Sequence, residues 1–184
     1  MTYITRLFPL FFLFLLGCQS EKGIPWEQIK PGEAGVSVTL DGKPFYAADS
    51  RFTGDITAFP SMFRVSLFDQ YQSNVVIAFG GDGWPNQKPI ERSVFVDNQV
   101  AASVMIGKLI DAEQQKGEGY LMTDGKIRIT SWTKDQLEIH IDGQVGLYQH
   151  QQEPDRWIPA QLIIRYKNPP CRWQGIDPTS VYYE

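Results

Sequence analysis

The sequence predicts an all-β protein, a single antiparallel β-sandwich or barrel-like domain, on three observations. Apolar and polar residues alternate along many short segments, which is the period of a half-buried strand. Turn formers, 16 glycines and 12 prolines, interrupt those segments throughout. No region carries the strand and helix rhythm of a parallel α/β domain, and there is no internal repeat.

Taken in order, Val36, Val38 and Leu40 alternate with Ser37 and Thr39, and Asp41-Gly42 then offers a hairpin turn into Pro44-Phe45-Tyr46. Residues 62–68 and 74–79 read as two further strands, the second more buried because Val75, Val76 and Ile77 are consecutive. Gly80-Gly81-Asp82-Gly83-Trp84-Pro85 reads as a loop, residues 93–96 as a strand and Asp97-Asn98 as a turn. Residues 100–110 fit a strand running into a frayed turn over 111–119, with a short helix reaching Gln115 as the alternative. The clearest hairpin joins Ile127 and Ile129 to Leu137, Ile139 and Ile141, and sets a basic row beside an acidic one on its solvent side. Residues 145–148 and 160–166 complete about eight to ten short strands, the composition of a sandwich or barrel.

The N-terminus has a separate character. Arg6 is its only basic residue, and residues 7–16 are apolar apart from Pro9. That run is shorter than the roughly 20 residues a membrane-spanning helix needs, so residues 1–17 read as a cleaved signal. It ends in Leu15-Leu16-Gly17-Cys18, which resembles the lipobox of bacterial lipoproteins. The resemblance implies cleavage after Gly17, palmitate-type acyl chains on the Cys18 thiol, and attachment to a membrane through that lipid. An ordinary signal peptide with an unpaired cysteine is the alternative. It leaves a free thiol in an oxidising compartment, where cysteines are usually paired. Gln19 stands where the enterobacterial family places Asp for inner-membrane retention, so the resemblance implies the outer membrane. Gln19-Ser20-Glu21-Lys22 matches a surface-export tract only in part, and the side of the membrane stays open. The expected organisation is therefore a signal over 1–17, a lipidated N-terminus and tether over 18–33 with Trp26 docking on the domain, and a β-rich domain over 34–184.

The chain has 17 Lys and Arg against 21 Asp and Glu; removing the leader takes Arg6 and leaves 16 against 21. An acidic balance excludes a nucleic-acid-binding surface and assigns membrane attachment to the anchor rather than to a basic domain body. The 167 residues after the leader suit one domain.

Within the body, Asp41-Gly42 with Phe45 to Ala47, and Gly125 to Thr130 with Ile141 to Gly143, resemble elements of the small all-β lipoproteins of uncharacterised function common in Bacteroidota. Gln144-Val145 departs from that pattern. The resemblance implies a fold and transfers no catalytic residue.

Motifs that carry chemistry are weak. Gly80-Gly81-Asp82-Gly83 lacks the Gly-Lys-Ser/Thr ending of a phosphate loop, and neither Asp82 nor residues 49–55 have calcium-loop spacing. His140 and His150 fall short of a zinc ligand set. Cys171, between Pro170 and Arg172, has no histidine near it in sequence and reads as a buried inert thiol, with an intermolecular disulfide or a reactive thiol as alternatives. No cofactor is expected. Aromatic residues remain, and Trp84, Trp132 and Trp157 are the candidate binding surface, Trp84 foremost because it stands between Gly83 and Pro85; the alternative is that they fill the core. The expectation is a noncatalytic, membrane-anchored lipoprotein that binds a partner protein or serves as an accessory subunit of an envelope complex. The alternatives are a small-ligand or glycan binder and an envelope hydrolase.

Overall fold

Alternation decides the strands. In Met62–Phe68 the odd-numbered Phe63, Val65 and Leu67 are fully buried while Met62 and Phe68 are exposed, and Asn74–Gly80 repeats the pattern with Val75, Ile77 and Phe79 inside. The computed structural model describes residues 23–98 and 101–183. Over them the chain forms β1 (Ala34–Leu40), β2 (Lys43–Pro44), β3 (Thr53–Phe59), β4 (Met62–Phe68), β5 (Asn74–Gly80), β6 (Ile90–Phe95), β7 (Ala102–Asp111), β8 (Lys116–Trp132), β9 (Gln136–Leu147), β10 (Ile158–Lys167), β11 (Cys171–Trp173) and a short helix α1 (Pro178–Val181). The strands make one sheet in the order β11-β3-β4-β5-β7-β8-β9-β10-β1-β2, with β6 added beside β8. All ladders are antiparallel except β11 against β3.

The sheet folds over on itself at β8. Its first half, up to Leu121, pairs with β7, and its second half, from Asp124, pairs with β6. The register against β9 slips between Met122 and Asp124, a bulge that bends the strand. Gly125 and Gly143 face one another just past the bulge, and a β-carbon on Gly143 would stand 2.1 Å from the Asp124 carbonyl oxygen. Only glycine permits the two backbones to approach this closely. On the far side the layers meet again through one bridge, where the Ala34 N–H donates to the Phe52 carbonyl at 2.8 Å. Buried Ile56, Phe63 and Ile77 of one layer and Ile139, Leu162 and Ile164 of the other fill the space between.

Several expectations are corrected here. The strand expected over 100–110 is β7, which starts at Ala102 (residues 99 and 100 lie outside the described residues), and the turn expected over 111–119 is shortened because β8 starts at Lys116. The stretches expected at 137–142 and 145–148 are one strand, β9. The 127–141 hairpin has the expected register, with Ile127 opposite Ile141 and Ile129 opposite Ile139. Its outward charges, however, reach sideways: Arg128 and Lys126 bind Glu91 of β6 at 2.5 and 3.5 Å, and Glu138 binds Arg165 of β10 at 2.9 Å.

Residues 23–33, expected within a tether, form a strap on the outer surface of β1 and β10; Cys18 and the rest of the expected tether lie outside the described residues. Ile29 is buried, and the Arg165 guanidinium donates to the carbonyls of Gly23 and Ile24 at 3.3 and 3.1 Å. The Gly32 N–H donates to the Lys167 carbonyl at 2.8 Å. Two glycines make room. A β-carbon at Gly23 would be 2.5 Å from Ile163, and one at Gly35 would be 2.8 Å from Ile29. Trp26 is half-buried, with Arg165 5.9 Å from its ring centre.

Candidate functional site

The three tryptophans do not form a surface. Trp84 and Trp132 are fully buried, so for these two the core-filling alternative holds and they are not available as a binding surface. A short 3₁₀ turn over Trp84–Asn86 tips the Trp84 indole inward, where its Nε1–H donates to the Phe59 carbonyl at 2.7 Å. It packs against Phe63, Phe79 and Trp132, and Trp132 stacks in turn on Trp173 at 5.4 Å. The Trp132 Nε1–H has no partner. Trp157 is half-buried elsewhere, donating to the Gln151 carbonyl at 3.1 Å and lying over Gly146.

The C-terminal Tyr182 and Tyr183 seal this end of the core. The Tyr183 hydroxyl accepts from the Ile90 N–H at 2.8 Å and donates to the Ile129 carbonyl at 2.7 Å, while its own N–H donates to the Trp132 carbonyl at 2.7 Å. Glu184 lies outside the described residues.

Titratable groups are tied up structurally. Burial pushes the Cys171 thiol up to about 12, with no cation to offset it. Burial likewise raises the Tyr46 phenol, whose hydroxyl donates to the Asn74 carbonyl at 2.6 Å. His140 meets Glu138 at 3.0 Å, and His150 meets Glu153 at 2.7 Å on an exposed turn. Among the described residues, no group of three or more His, Cys, Asp or Glu side chains is placed to hold a metal ion.

The two outer faces of the sandwich contrast sharply. Over β6, β8, β9 and β10 the outward positions are mostly charged or polar, with Lys126, Arg128, Arg165 and Lys167 against Glu91, Asp124, Glu138 and Asp142, and with Phe95 and Ile163 among them. Over β4, β5 and β7 they mix apolar residues with small polar ones and carry a single charge, Arg64. Register sets Ser66, Val76, Met105 and Leu121 in one row across four strands, with Arg64, Ala78 and Ser103 beside it. The exposed Met62 and Phe68 lie at either end of β4, and Met105 is 37% exposed. An antiparallel sheet with one solvated face is expected to carry polar residues there. Arg64 is the one charged residue at the outward positions of β4 and β5, and its guanidinium donates to the Ser66 hydroxyl.

Beside this face lies a trough of about 300 Å³, lined among others by Asn74, Met105, Gly107, Lys108 and Gly119. The Asn74 carboxamide leans on Gly107, whose added β-carbon would be 3.2 Å from Oδ1, and Oδ1 is buried with no partner. A second groove of about 330 Å³ runs between the strap and residues 48–51, with Glu33 and Arg51 3.6 Å apart across it. Both are open hollows. The arrangement can offer apolar contact and hydrogen bonds, and Glu118 at the trough's edge accepts from the Tyr120 hydroxyl at 2.8 Å and lies 3.8 Å from Lys108.

No protein-family model matches the chain, and no curated protein and no solved structure shows significant similarity to it.

Proposed function

We propose that the protein is a noncatalytic lipoprotein of the outer membrane, anchored through acylated Cys18, whose β-domain holds a partner protein against the outer face of β4, β5 and β7. The observation that carries the binding reading is the apolar row Val76, Met105 and Leu121, continued by Ala78 and flanked by Met62 and Phe68. Such a patch on a sheet that should be wetted is the mark of an interface centre, where charged residues are depleted and methionine and aromatic residues are enriched. Supporting the anchor are the lipobox-like residues 15–18 and a preceding apolar run too short to span a bilayer.

The test is in-cell crosslinking from a photoreactive residue at Val76, with Met105→Glu and Gln161→Glu as paired variants and Cys18→Ala as the anchor control. A single partner should be captured, lost with Met105→Glu and retained with Gln161→Glu. Capture that ignores Met105→Glu places the interface elsewhere. A small-ligand reading has one observation in its favour, the unpartnered Asn74 Oδ1 in its glycine-floored trough. Asn74→Ala would then lower ligand affinity while leaving partner capture intact.

A further inference from the structure

We infer that the outer face of β8, β9 and β10, with the strap that lies on β10, is turned toward a lipid surface, so that the β4-β5-β7 face is turned away from it. The inference rests on the reading of Cys18 as the acylated residue. Its premise is a length. Residues 23–33 are docked, so only Gln19 to Lys22 separate the anchor from the body of the domain. Five residue steps from Cys18 to Gly23 span at most about 18 Å even when fully extended. The headgroup layer takes up about 5–7 Å of this reach. Gly23 is therefore held within about 13 Å of the headgroup surface.

The second premise is position. Gly23 lies over Ile163, in the interior of β10, and Arg165 grips its carbonyl. Ile163 stands opposite His140 of β9, so the chain leaves the domain from the middle of a sheet face rather than from a loop at one end. A leash this short attached at mid-face brings that face to the membrane. The two layers of a sandwich are about 10 Å apart, which puts the β4-β5-β7 face on the far side.

The third premise is charge. The chain is acidic, with 17 basic against 21 acidic residues, and a uniform negative surface would be repelled by anionic headgroups. Over this face and the adjoining β6 four cations offset four anions, and the charges are joined in the Glu91–Lys126–Arg128 and Glu138–Arg165 groups. The negative excess lies elsewhere. The face is suited to being held beside a membrane and has no basic excess to adsorb by itself.

The experiment places a genetically encoded fluorescent amino acid at Gln161 or at Ser66 in the full mature protein. The protein is reconstituted in phosphatidylcholine and phosphatidylglycerol vesicles containing headgroup-nitroxide lipid. Mass spectrometry of the N-terminal peptide reports acylation of Cys18 separately. If the thiol is free, a synthetic maleimide lipid is coupled to it in a Cys171→Ser background and the same probes are read, so failure of the acylation reading stays distinct from failure of the orientation. Quenching severalfold stronger at residue 161 than at residue 66 is expected. A Gly23→Val, Arg165→Ala variant, which frees the strap, should bring the two probes together with an unchanged circular dichroism spectrum. Equal quenching in the unaltered protein, or stronger quenching at residue 66, overturns the proposal.

Discussion

Tyr166 of β10 and Gly54 of β3 are joined through the interior of the sandwich: the buried Tyr166 hydroxyl donates to the Gly54 carbonyl at 2.6 Å. Opposite layers thus share a polar bond as well as apolar contact. Tyr166→Phe keeps the ring and leaves a buried carbonyl without a donor, which should lower stability by about 1–3 kcal/mol. Urea unfolding of the two proteins measures it, and an unchanged midpoint would show that water replaces the phenol.

Trp84 and Trp132 are both fully buried and in contact, but only Trp84 has a hydrogen-bond acceptor. Replacing each with phenylalanine removes a similar volume. Trp84→Phe also removes the hydrogen bond to the Phe59 carbonyl, whereas Trp132→Phe removes an unpartnered N–H, so the first should be the more destabilising by about 1 kcal/mol. Thermal unfolding of the pair decides the order.

Gly143→Ala should be among the most damaging small substitutions in the chain. Its methyl would meet backbone on the facing strand, at 2.1 Å from Asp124 O and 2.6 Å from Gly125 Cα, and backbone in a ladder cannot rotate aside. A loss of at least about 3 kcal/mol is expected. Gly42→Ala, where nothing lies within 4 Å but φ is +72°, should be milder, costing about 1 kcal/mol. Equal midpoints for the two would contradict the close-approach argument.

Glu138 gives the protein an acid limb. Burial pushes its carboxyl up, but hydrogen bonds from His140 and Arg165 outweigh this and hold it below the ordinary value of 4.5. A carboxyl depressed in the folded state contributes its full stability above the unfolded pKa and loses it as pH falls through the folded one. The stability gap between wild type and Glu138→Gln should therefore be constant from pH 7 to about pH 5 and close below about pH 4.5. A gap that persists at pH 3 would assign the effect to packing.

With its thiol pushed up to about 12, Cys171 is protonated at neutral pH. In a Cys18→Ser variant, where Cys171 is the one remaining thiol, a disulfide reagent at pH 8 should react about a hundredfold or more slowly with folded than with urea-unfolded chain. Equal rates would restore the reactive-thiol alternative.

Strands with two or three strong inward residues were legible in the sequence: β1, β4, β5, β9 and β10 all follow period 2. β3 was not, because Thr53–Phe59 turns only Ile56 and Ala58 fully inward and begins with Thr-Gly-Asp, which reads as a turn. The first half of β8 was hidden by Gly117 and Gly119, whose inclusion in a strand depends on β7 lying alongside. Trp84 misled for a related reason. Its Gly and Pro neighbours do mark a break in regular structure, yet the pocket that receives the indole is built by Phe63, Phe79 and Trp132 from three other places in the chain. The apolar outer face escaped notice because Val76 and Met105 join one row only once register is known.

The pairing of β1 with β10 has a consequence in time. Ala34 cannot meet Tyr166 until nearly the whole chain is present, so the first strand made is among the last to be closed. Contacts of such sequence separation are slow to form. The strap that docks on β10 must wait equally long. A nascent chain therefore carries its N-terminal segment undocked through most of its assembly, and seats the strap only when the sandwich is complete.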